Sequence, residues 1–260
     1  MRYITGCLNL SQERDYPLLR QLARSGFATD SQLFEFMQLG RHERSRRSFR
    51  WRVQRLVEHN LVGRHTAAVL GAEYVYSLTE QGTQRVEAMG EGFAVSLPKG
   101  RRDSHAPNVL HSIDLNNIQL GVLRAGLLAE WVPEIAIHSA NRLTPLAYAK
   151  DYDAIVRLRL DGRTSEFALE YERTAKSEAD YIEIAGKIAT ERNLTRFLYL
   201  TANQHLLTFV SWHFRNVRSQ VYFGLVDDWH EKLLDMAVFR WSSKCYEQVP
   251  LRVALSRDGY

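Results

Sequence analysis

Apolar residues recur at intervals of three and four from Ser11 to about Ser25, from Thr29 to about Leu39 and from about Glu43 to Asn60, which predicts three amphipathic helices. Ser11, and Thr29 or Asp30, carry the short oxygen-bearing side chains of helix N-caps. After Asn60 the period changes. Leu61-Val62-Gly63-Arg64 leads into a strand, Leu70-Gly71-Ala72 reads as a turn, and Glu73 to Leu78 returns as a second strand. Thr79 then caps a helix to about Met89. Three helices, a β-hairpin and another helix follow the order of a winged helix-turn-helix.

The stretch from Gly90-Glu91-Gly92 through Pro98 to Ser104 is rich in Gly, Pro and charge, and reads as a linker. Beyond it, Pro107 suits the first turn of a long helix predicted to about Trp131. Strands are predicted at about 132–139, 152–160 and 165–172, then a helix at 177–193. Phe197 to Thr201 is a strand, His205 to Asn216 a helix and Gln220 to Val226 a further strand. That alternation belongs to a mixed sheet with helices packed on it, so the chain reads as α+β. The predicted layout is a winged helix over 1–95, a linker over 96–106 and a mixed-sheet domain over 107–260.

A length of 260 residues suits two such units, and 45% apolar with 25% charged residues excludes a disordered or fibrous chain. The start has no apolar signal core, and no segment approaches the ~18 continuous apolar residues of a membrane span, so the chain reads as cytoplasmic. Cys7 and Cys245 have no CxxC partner and no zinc spacing, and read as free thiols.

The distribution of charge changes the picture more than its total of +4. Residues 1–105 carry 16 Lys and Arg against 11 acids, and residues 106–260 carry 18 against 19. Much of the first excess falls on one predicted helix: seven Arg lie between Arg41 and Arg55, with Glu43 the single acid and no Lys. A helical wheel turns Phe49, Val53, Leu56 and Val57 inward, and Arg44, Arg47, Ser48, Trp51 and Arg55 outward. Arg50 and Arg52 flank the outward face. The planar guanidinium grips phosphate or a guanine edge with two hydrogen bonds, so double-stranded DNA is the expected partner. The contact set is Arg44, Arg46, Arg47, Ser48, Arg50, Trp51 and Arg55. The bland reading is a solvated face that keeps the protein soluble. The hairpin adds no cation between His65 and Arg85, so a wing grip on the minor groove is not expected.

A second constellation lies in the later half. In Glu166-Phe167-Ala168-Leu169-Glu170-Tyr171-Glu172, strand alternation puts the acids on one face. Asp153 stands at the start of the preceding strand, and Asp161-Gly162 marks a hairpin turn. A two-residue turn sets Asp153 opposite Glu170, and a four-residue turn sets it opposite Glu172. Either way carboxylates meet across the ladder, where like charges destabilise. Asp153, Glu170 and Glu172 are therefore candidate metal ligands for Mg²⁺ or Mn²⁺, with Lys176 in the next helix as a catalytic cation. The bland reading pairs Arg157 or Arg159 with Glu166 and leaves the acids to water.

Asp153 followed by Glu170-x-Glu172 in this order of elements resembles the PD-(D/E)xK nuclease-like fold, including restriction enzymes whose last Lys is replaced by Glu. Two positions depart from the motif: Tyr152 stands for its Pro and Glu172 for its Lys. More broadly, residues about 11–230 resemble the replication-relaxation family of plasmid and mobile-element proteins. The resemblance rests on Arg55-Leu56-Val57-Glu58 with Leu61-Val62, Tyr74 through Thr79, His111 through Asn117 and Phe167 through Thr174. It implies DNA binding in replication or mobilisation, with replication or mobilisation proteins as partners.

Two functions follow as expectations. One is a DNA-binding accessory or regulatory protein with no cofactor. The other is a Mg²⁺-dependent DNA endonuclease or nickase using Asp153, Glu170, Glu172 and Lys176. His111 and Asp114 share a helix face and approach that site or serve as ordinary hydrogen-bonding groups. Trp212 and Trp241 belong to the core or line a homodimer interface. No HExxH, His-x-His, Gly-x-Ser-x-Gly or P-loop is present, so metalloprotease, relaxase, hydrolase and ATPase chemistries have no support.

Overall fold

A computed structural model describes residues 8–66, 73–90, 106–145, 147–242 and 245–256. Cys7, the Leu70-Gly71-Ala72 turn and the linker residues Glu91 to Ser104 lie outside the described residues. The chain forms two compact units, one holding the N-terminal elements and a later helix as far as Leu120, the other starting at Gly121.

In the first unit, α1 spans Asp15–Ser25 and buries Leu18, Leu19, Leu22 and Ala23. Ser11 is not its cap. The helix begins four residues later, where the Asp15 carboxylate accepts the Ser11 N–H at 2.6 Å. A three-residue strand, β1 (Phe27–Thr29), intervenes before α2 (Asp30–Leu39). Thr29 caps α2 in a reciprocal box with Gln32, each side chain taking the other's backbone N–H. Helix α3 (Arg46–Glu58) is capped by the Ser45 hydroxyl, which accepts from Ser48 N–H. Strands β2 (Val62–Thr66) and β3 (Tyr74–Leu78) pair antiparallel, and β3 also pairs with β1, so the sheet order is β1-β3-β2. Helix α4 (Glu80–Glu87) starts at the Thr79 cap.

Helix α5 (Ala106–Arg124) begins in this first unit rather than founding the second. Val109 and Ile113 join Phe27 and Val75 in one apolar cluster. Gln32 Nε2 donates to the Ile113 carbonyl at 2.8 Å, and Asn116 Nδ2 donates to the Phe27 carbonyl at 2.8 Å. The helix stops at Arg124, short of the expected Trp131, because Gly126 takes φ +68° and starts a reversal. Its N–H reaches the Leu123 carbonyl and that of Leu127 the Val122 carbonyl, closing the helix end.

In the second unit, β4 (Leu128–Pro133) leads to α6 (Glu134–Leu143), so the expected strand over 132–139 is mostly helix. Ile135 and Ile137 alternate as a strand's residues would, but Pro133 has no N–H for a ladder and serves as the N-cap of α6. Strands β5 (Ala154–Leu160) and β6 (Arg163–Glu172) form a hairpin, then α7 (Glu178–Thr190), β7 (Arg196–Thr201), α8 (Gln204–His213) and β8 (Gln220–Leu225) alternate. Beyond the reach of the sequence pattern come α9 (Val226–Lys232), β9 (Ala237–Ser242), β10 (Cys245–Pro250) and α10 (Leu251–Ser256).

The result is a seven-stranded mixed sheet in the order β10-β9-β8-β7-β6-β5-β4. Strands β6, β7 and β8 run parallel, with α7 and α8 as their crossovers, while the flanking pairs are antiparallel. Both faces of the central strands are buried, so Ala154, Ile155, Val156 and Leu158 are all inaccessible to solvent. Among the described residues no helix is long and apolar enough to cross a membrane.

Candidate nucleic-acid interface and a buried acidic cluster

Helix α3 divides its arginines into two populations. Arg52 lies on the inner side, donating Nε to Glu43 at 2.5 Å and Nη1 to Asp15 at 2.7 Å. Arg55 also turns inward: its side chain is 12% exposed and its Nη2 meets the other Asp15 oxygen. The expected place of Arg55 on the outward face is therefore corrected. Buried carboxylates from α1 and from the α2–α3 loop hold both guanidinium groups. Burial acts to lower the Arg52 pKa, but Glu43 and Asp15 outweigh it and raise the pKa. Arg46 is exposed yet committed, with Nη1 on Asp30 at 2.6 Å and its guanidinium over the Phe34 ring.

The remaining cations face solvent. Arg44 and Arg47 are exposed and make no ion pair among the described residues. Arg50 is exposed and reaches Asp30 only at 3.9 Å. Trp51 is 51% exposed, and Ser48 is half-buried beside the Ser45 cap. Around the N-terminus of α3 a groove of about 550 Å³ is lined by Arg14, Arg41, Arg44 and Ser48, with Gly40, His42 and Ser45, and by two acids, Glu13 and Glu43, the second of which is taken up by Arg52. A helix N-terminus presents unsatisfied N–H groups and positive potential, so these cations and the helix end favour the same kind of ligand, an anion. Arg14 was not legible as part of this surface, because its place depends on how α1 packs beside the α2–α3 loop.

The acidic group in the second unit has a different character. The hairpin closes on Asp161 and Gly162 with φ of +48° and +78°, the two-residue turn with both residues left-handed. Leu160 then faces Arg163 and Ala154 faces Leu169, so the register brings Asp153 to Glu170. Glu170 and Glu172 are buried, not open to water, because α7 and α8 cover the face to which they point. Arg157 pairs with Glu166 and Glu130 further along the same ladder.

Each acid has an internal partner. Lys150 pairs with Glu170, Lys176 Nζ meets Glu172 at 2.5 Å, and Asp153 Oδ2 accepts the Tyr171 N–H at 2.7 Å. Lys176 precedes α7 in a loop, whose Ser177 is the helix cap, and is not in the helix itself. Lys150 was missed because a single Lys before a strand carries no pattern of its own. Burial raises the Glu170 pKa to about 7 against the pull of Lys150, and burial likewise raises that of Glu172 against Lys176. For Lys176, desolvation is outweighed by Glu172 and Glu170, and its pKa rises. The Tyr199 hydroxyl, opposite Glu170 in the parallel ladder, is buried with no hydrogen-bond partner among the described residues.

Oxygen donors of this kind suit Mg²⁺ or Mn²⁺ in type. As arranged, however, two ammonium groups already neutralise the carboxylates. Among the described residues no group of three or more His, Cys, Asp and Glu is set to hold a metal ion. Asp153, Glu170 and Glu172 are thus each engaged by a group of this chain in this arrangement. His111 and Asp114 lie on the part of α5 that belongs to the first unit.

The family described as replication-relaxation matches residues 19–198. No curated protein and no solved structure matches the chain.

Proposed function

The chain belongs to the replication-relaxation family, and on that footing we propose that it binds double-stranded DNA as an accessory or regulatory protein of a plasmid or mobile element. The order α1-β1-α2-α3-β2-β3 with a three-stranded sheet supports a winged helix in which α3 enters the major groove. One observation carries the reading: the chain neutralises Arg46, Arg52 and Arg55 with its own acids and leaves Arg44 and Arg47 open. Arg44, Arg47, Arg50 and Trp51 make the contact, joined by Arg14 and Arg41 around the helix N-terminus. Arg46 braces α3 on α2, and Arg55 braces it on α1.

Duplex binding followed by fluorescence anisotropy over a salt series tests this. Each phosphate-binding Arg removed lowers the log–log salt slope by about 0.9. The Arg44→Ala/Arg47→Ala variant should therefore bind more weakly and with a flatter slope. Unchanged affinity and slope would remove α3 from the interface.

The half-buried Asp153, in register with the buried Glu170 and near Glu172, supports a second reading, a Mg²⁺-dependent nickase of nuclease-like fold. It requires Lys150 and Lys176 to release Glu170 and Glu172. Nicking of supercoiled plasmid with Mg²⁺ or Mn²⁺, lost in Asp153→Ala, would favour that reading over binding alone.

A further inference from the structure

The outer face of the second unit has a groove of about 700 Å³ along α7 and α8, closed on one side by β10. Three of its lining residues are large apolar side chains held in water: Ile182 is 65% exposed, Trp212 52% and Tyr246 53%. A cluster of this kind marks an interaction surface more often than scattered single apolar residues do. The aromatic wall is braced from behind. Trp241 packs edge-on to Trp212 at 5.9 Å and lies 3.9 Å from Tyr246 between ring centroids. Arg215 lies over the Trp212 ring at 4.2 Å and donates to the Trp212 carbonyl at 2.9 Å.

The charge of the groove selects the occupant. Its lining holds one carboxylate, Glu178, and one guanidinium, Arg215, and neither forms an ion pair among the described residues. A polyanion stacked on these aromatics would require unopposed cations, as single-strand binding grooves provide. A two-fold contact has another requirement. Residue i meets residue j and j meets i, so the patch must contain both members of each complementary pair. This groove contains one of each beside an apolar centre.

We infer that the groove is a two-fold interface with a second copy of this chain. Ile182 and Trp212 pack against their counterparts, and Glu178 of each subunit meets Arg215 of the other. The inference is independent of the DNA-binding reading, because it rests on the second unit alone.

Sedimentation equilibrium of the full chain across a concentration series tests it. The unaltered protein should dimerise, and Ile182→Glu should be monomeric. Each symmetric interface contains the charge pair twice, so Glu178→Arg or Arg215→Glu alone should weaken dimerisation by about tenfold or more. The double variant Glu178→Arg/Arg215→Glu should restore it. All these side chains are exposed, and matching thermal melts check that each variant folds. A monomer at every concentration would overturn the inference, as would a dimer indifferent to Ile182→Glu and to both single charge reversals. Binding of single-stranded DNA that is lost in Trp212→Ala, by a protein that stays monomeric, would assign the groove to nucleic acid and also overturn it.

Discussion

Arg52 donates Nη1 to Asp15 at 2.7 Å, joining the middle of α3 to the first turn of α1 through two side chains withdrawn from water. Asp15 is the hub of this contact. Its other oxygen accepts the Ser11 N–H and Arg55 Nη2, so one carboxylate ties α1 to α3. Asp15→Ala leaves two guanidinium groups without their shared anion. Breaking a buried pair in this way costs about 3–5 kcal/mol, because the remaining charge stays desolvated. Urea denaturation should show the loss, and an unshifted midpoint would mean that the network contributes nothing to the fold.

The two arginine populations of α3 should respond differently to truncation. Arg47→Ala should lower duplex affinity and leave the melting temperature in place, since Arg47 has no ion pair among the described residues to lose. Arg55→Ala should instead lower the melting temperature, because it removes one clasp of Asp15. If the outcomes are reversed, the division of roles between the two faces is wrong.

Glu170 sets a pH dependence of known sign. Its folded pKa of about 7 stands above the ordinary 4.5, so between those values the folded chain holds a proton that the unfolded chain releases. The stabilisation is complete below pH 4.5 and is lost as the pH rises through 7. Glu170→Gln cannot titrate. The difference in unfolding free energy between the two proteins should therefore move in favour of the variant across that window, and a flat difference curve would place the Glu170 pKa near its ordinary value.

Gly82→Ala opposes two effects. Alanine in a helix is worth about 1 kcal/mol over glycine. A Cβ at Gly82 would, however, lie 2.0 Å from the Leu61 carbonyl oxygen, and backbone cannot swing aside as a flexible side chain can. Overpacking of this sort costs about 1–3 kcal/mol, so the clash should win and the variant should melt lower. A higher melting temperature would show that the α4 approach to Leu61 can relax cheaply.

The local elements were largely legible where their causes are local. The periodicities of α1 to α3, the Thr29 and Thr79 caps and the Asp161-Gly162 turn all act within a few residues. That turn fixed which of two registers brings Asp153 to an acid. The pattern failed where tertiary context chose. The three-residue β1 exists only through its pairing with β3, and Ile135 and Ile137 mimic alternation inside α6.

For the candidate sites, the sequence determined the chemistry available: seven arginines in one segment, and in another two acids at strand spacing, Glu170 and Glu172, with Asp153 ahead of the preceding strand. Only the folded structure decided which charges are open. Asp15 and Asp30 are distant from Arg52, Arg55 and Arg46 along the chain but are their partners in space, and Lys150 reaches Glu170 from outside the hairpin. Charges are neutralised by distance through space, and desolvation depends on which elements cover them. Neither quantity is written in the order of residues along one segment.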